Sequence, residues 1–152
     1  MSQALRTAIV SRIAIDTSLT ALLAKDPADG TSPAVFNVNK NQAPPVYPCL
    51  TYRIEMANPD KRFRPVPAGS GPSTIEDYYL DFEGWSQADD SADCDTMLAR
   101  LDALLENATF ALADGSNVFR SERISAKPDL YDNKLNAWYL LARYRFRVSL
   151  PG

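Results

Sequence analysis

From Leu140 to Leu150 the chain alternates without a break. Leu140, Ala142, Tyr144, Phe146, Val148 and Leu150 fall on one side of an extended backbone. Leu141, Arg143, Arg145, Arg147 and Ser149 fall on the other, because strand side chains repeat every second residue. A segment of this kind needs a sheet with one face covered by other elements and one face turned to water. Ile75 to Ser86 repeats the pattern with the opposite charge. Tyr78, Leu80 and Phe82 share one face there, while Asp77, Tyr79, Asp81 and Glu83 share the other. Val46 to Met56 supplies a third strand, with Leu50, Tyr52 and Ile54 set against Thr51, Arg53 and Glu55.

The cover for the apolar faces is helical. Leu5, Ile9 and Ile13 recur at four-residue spacing and predict a helix over 2–14. Asp16-Thr17-Ser18 offers an N-cap for a second, short helix over 17–25 that carries Leu19, Leu22 and Leu23, and Pro27 ends it. Asp89 and Asp90 open a third, whose Cys94, Met97, Leu98, Leu101, Leu104 and Leu105 make one apolar face. Thr109–Leu112 and Asn117–Ile124 read as two short strands around the Asp114-Gly115 turn. Residues 28–45 read as a loop with room for one short strand at Val35-Phe36, and 127–134 as a polar loop. Residues 57–74, with four prolines and two glycines, are expected to form a long exposed arm or loop. The expected fold is α+β: a mainly antiparallel sheet with two or three helices on one face and a long hairpin arm or loop. One domain spanning 1–152 accommodates all of it.

Composition narrows the function. The net charge is −3, from 16 basic and 19 acidic residues, which does not favour general binding to a phosphate backbone. There is no histidine, so the commonest general base and most transition-metal sites are missing. The two cysteines, Cys49 and Cys94, have no metal or redox spacing and are expected to be free, buried thiols. No apolar run approaches the ~20 residues a bilayer crossing needs, and the first residues lack the pattern of a signal peptide. No catalytic residue, metal or cofactor is expected.

Three features still invite a functional reading. Arg143, Arg145 and Arg147 place three guanidinium groups on one strand face, and Asp77, Asp81 and Glu83 place carboxylates on another. If these strands pair, cross-strand ion pairs account for both stripes; otherwise one stripe faces a neighbouring subunit or a ring lumen. Asp77 and Asp81, four residues apart on a strand, lie ~13 Å apart along it, too far for a paired-acid active site. Asp89 to Asp95 resembles a calcium loop but has no glycine at its sixth position, and Arg100 stands where a bidentate glutamate belongs. A helix start explains those carboxylates. The cluster Lys61, Arg62, Phe63 and Arg64 is either a solvated basic loop or a docking arm.

The order of segments resembles the tail-terminator, or tail-completion, proteins of long-tailed bacteriophages over most of the chain. The features that carry it are Leu19-Thr20-Ala21-Leu22-Leu23 after the first helix and the proline-bounded strand from Pro44 to Arg53. Asp81-Phe82-Glu83-Gly84-Trp85-Ser86 running into a helix is a third, and a Tyr131-Asp132 loop before the strand Tyr144-Arg145-Phe146-Arg147-Val148 is a fourth. The chain departs from that pattern in its longer loops at 28–45 and 57–74. The resemblance implies a structural protein of the virion, assembled in the host cytoplasm, that forms a ring, usually a hexamer, in the tail-neck region. Its implied partners are other copies of itself, the tail tube protein and the head-closure or connector protein. Genomic DNA would pass through the lumen without specific binding, and no membrane is involved. The alternatives are another neck component, such as a head-closure or connector protein, or a tail-tube-like subunit; a small enzyme or a monomeric binding module stands further off.

Overall fold

The computed structural model describes residues 2–37, 44–56 and 75–150. Their order is α1 (Ser2–Ile15), α2 (Thr17–Thr20), β1 (Val35–Asn37), β2 (Cys49–Met56), β3 (Ile75–Ser86), α3 (Ala92–Leu105), β4 (Phe110–Ala111), β5 (Asn117–Asp132) and β6 (Ala137–Ser149). The strands form one six-stranded sheet in the order β1-β2-β3-β6-β5-β4. Among the described strands only the β1–β2 pair is parallel. The fold is α+β.

The two strands with opposite stripes, β3 and β6, lie side by side at the centre, in register from Ile75↔Ser149 to Ser86↔Trp138. Their apolar faces point the same way, so Tyr78, Leu80, Phe82, Leu140, Ala142, Tyr144, Phe146 and Val148 make one continuous buried surface. Leu5, Ile9 and Ile13 of α1 and Cys94, Met97, Leu101 and Leu105 of α3 close over that same side. Of the face that spacing assigns to the third helix, Cys94, Met97, Leu101 and Leu105 are buried, while Leu98 and Leu104 at its margin are partly buried.

Polar anchors fix the helices on this surface. Asp16 caps α2 by accepting from Leu19 N at 2.8 Å, and its carboxylate also pairs with Arg100 of α3. The Tyr144 hydroxyl donates to Asp102 of α3 at 2.6 Å, and Arg123 of β5 pairs with the same carboxylate. Gly84 lets α3 approach the sheet closely: a Cβ there would lie 2.7 Å from Leu140 Cδ2 and 3.1 Å from Met97 Sδ.

Several boundaries depart from the pattern-based expectation. The second helix stops at Thr20 rather than 25, because the chain turns tightly and Ala24 N donates to Pro48 O at 2.8 Å. The strand expected from Val46 begins at Cys49, beyond Pro48, whose nitrogen has no hydrogen to donate. The third helix begins at Ala92, and Asp90 accepts from Ala92 N at 3.0 Å instead of lying within the helix.

The largest correction concerns 127–134. No polar loop starts at Lys127; β5 continues to Asp132, and Lys127↔Leu141 is followed by Leu130↔Tyr139. A register shift takes up Pro128 and Asp129, which is how an outer strand tolerates a proline. The true turn is 133–136, where Asp132 Oδ1 accepts from Lys134 N and Leu135 N, and Asn136 has φ 49°.

Candidate functional site: the charged outer face of the sheet

The face of the sheet turned away from α1 and α3 carries the charge stripes. At one end it is covered by a small second core of Ala34, Cys49, Trp85 and Ala137, with Trp85 stacked on Tyr139 at 4.7 Å. The rest is a lattice of ion pairs. Asp81 and Arg143 are directly opposite in register, with Arg143 Nε at 2.7 Å from Asp81 Oδ1 and Nη2 at 3.0 Å from Oδ2. Arg53 of β2 reaches the same carboxylate at 3.3 Å and Glu55 at 3.1 Å, while Arg143 lies 3.8 Å from Glu55. These four side chains form a closed ring of alternating charge.

The flanking pairs extend the lattice. Arg147 Nε is 3.2 Å from Asp77 Oδ1, again between residues opposite each other in register. Arg145 faces Tyr79 on β3, so it turns to Glu122 on β5, its partner across the other side of the strand. Glu83 stands opposite Leu141 and accepts from Trp85 Nε1 at 3.3 Å. Asp77, Asp81, Arg143, Arg145 and Arg147 are thus gathered on one surface and joined to carboxylate or guanidinium partners; Glu83 is on the same surface, engaged with an indole. Lys61, Arg62, Phe63 and Arg64 lie outside the described residues.

The electrostatics follow from the partners. Burial raises the pKa of Asp81, but the Arg143 and Arg53 guanidinium groups outweigh it and leave the carboxyl lowered. Arg143 is raised in turn by its hydrogen bond to Asp81. An ionised lattice of this kind presents little unmatched charge, so it makes a poor anion-binding stripe and a poor acidic wall. It can hold strands in register, and it can exchange partners across an interface of like composition. The two thiols offer no chemistry: burial pushes Cys49 up to about 12 and Cys94 up to about 11, so both stay protonated at neutral pH. Among the described residues no group of three or more carboxylates and thiols is placed to hold a metal ion, and no helix is long and apolar enough to cross a membrane.

What sequence reasoning missed was the contribution of β2 and β5. Arg53 and Glu55 sat on the polar face of a predicted strand and Glu122 on another predicted strand, and their share in the lattice depends on strand order, which periodicity does not specify.

No protein-family model and no curated protein sequence matches the chain. Among solved structures the fold is similar to that of a chain in the virion of a native gene transfer agent (GTA) particle. The TM-score is 0.67 and the sequence identity 18%, over 97% of this chain and 96% of that one. At that identity the likeness is one of fold, and it extends from end to end.

Proposed function

We propose that this chain is a structural protein of a phage-like particle, with no catalytic role. The observation that carries the reading is the end-to-end fold likeness to a chain of a gene transfer agent virion. A face of matched ion pairs and two inert thiols agrees with a packing role rather than a reactive one. Within such a particle, the order of segments supports a tail terminator. In this reading the chain is one domain that forms a ring at the head-proximal end of the tail tube, ends tube polymerisation and offers the surface that joins the head. Its partners are further copies of itself, the tail tube protein and the head-closure or connector protein, with DNA passing through without specific binding. Residues 57–74, with Lys61, Arg62, Phe63 and Arg64, serve this role as the arm that reaches an adjoining layer.

Electron microscopy of intact particles tests the reading. Density for this fold in a ring between tube and neck is the expected result; density in the tube wall, or only in the capsid, overturns the terminator assignment. Native mass spectrometry with assembled tubes is the second test, because a partner surface can drive a ring that the free chain does not form.

A further inference from the structure

We draw no further inference here: the strongest candidate, the exposed apolar side chains Phe119, Ile124 and Tyr131 along the outer strand β5, carries nothing because nothing in the structure shows what covers them.

Discussion

The two faces of the central strands are built from the same residues in alternation, yet they are held by different physics. On the inner face, Phe82, Tyr144 and Phe146 disappear beneath α1 and α3, and each buried side chain contributes ~1.5–3 kcal/mol by leaving water. On the outer face, Asp81, Arg143, Arg53 and Glu55 remain partly in contact with solvent, where an ion pair contributes ~0–1 kcal/mol. The inner face decides whether the chain folds. The outer face follows that choice: a slip of one position would turn the charged stripe of β3 or β6 into the core, and in the native register carboxylates stand against guanidinium groups.

The sharpest way to break the comparison is to weaken the inner face. Leu101→Ala or Leu105→Ala removes a fully buried side chain of α3 and is expected to cost about 2–5 kcal/mol in denaturant unfolding. A loss below about 0.5 kcal/mol would show that α3 does not hold this face. Gly84→Ala acts in the opposite sense, by adding volume. Its new methyl would collide with Leu140, itself fully buried, and with Met97. The expected cost is about 1–3 kcal/mol, and an unchanged midpoint would mean the helix can withdraw freely.

Much of the inner face was legible in the sequence, because burial there obeys one period per element. Leu5, Ile9 and Ile13 at helical spacing, and Tyr144, Phe146 and Val148 at strand spacing, each declare a side before any partner is known. The limits of β5 were not legible. Lys127-Pro128-Asp129 carries strong turn chemistry, and only the paired length of β6 and a bulge keep it extended. The outer face was legible by halves. The cross-strand pairs Asp81–Arg143 and Asp77–Arg147 follow once β3 and β6 are neighbours, but Arg145 choosing Glu122 requires knowing that β5 lies on the far side of β6.

Disrupting the outer face should cost less, and the cost should depend on salt. Asp81→Asn removes the charge that Arg143 and Arg53 share, and a loss of about 1 kcal/mol is expected, shrinking at high ionic strength. A loss as large as that of Leu101→Ala would mean the ion pairs are not the solvated lattice described above.

The gentlest probe is pH, and it reads both faces at once. Asp16 lies at the helix layer, its side chain only 6% exposed, and the Arg100 hydrogen bond lowers its pKa further than its burial raises it. Asp81 is lowered as well, on the outer face. A carboxyl whose folded pKa is depressed stabilises the fold above its unfolded value, ~3.9, and that stability is lost as pH falls through the folded value. Stability should therefore be flat from neutral pH down to about 5 and fall below about 4. Asp16→Asn should remove part of that slope at any salt, since its partner is drawn against a buried carboxylate. Asp81→Asn should remove a part that is visible at low salt and faint at high salt, where exposed pairs are screened. Equal salt dependence in the two variants would erase the distinction between a helix anchor and a surface lattice.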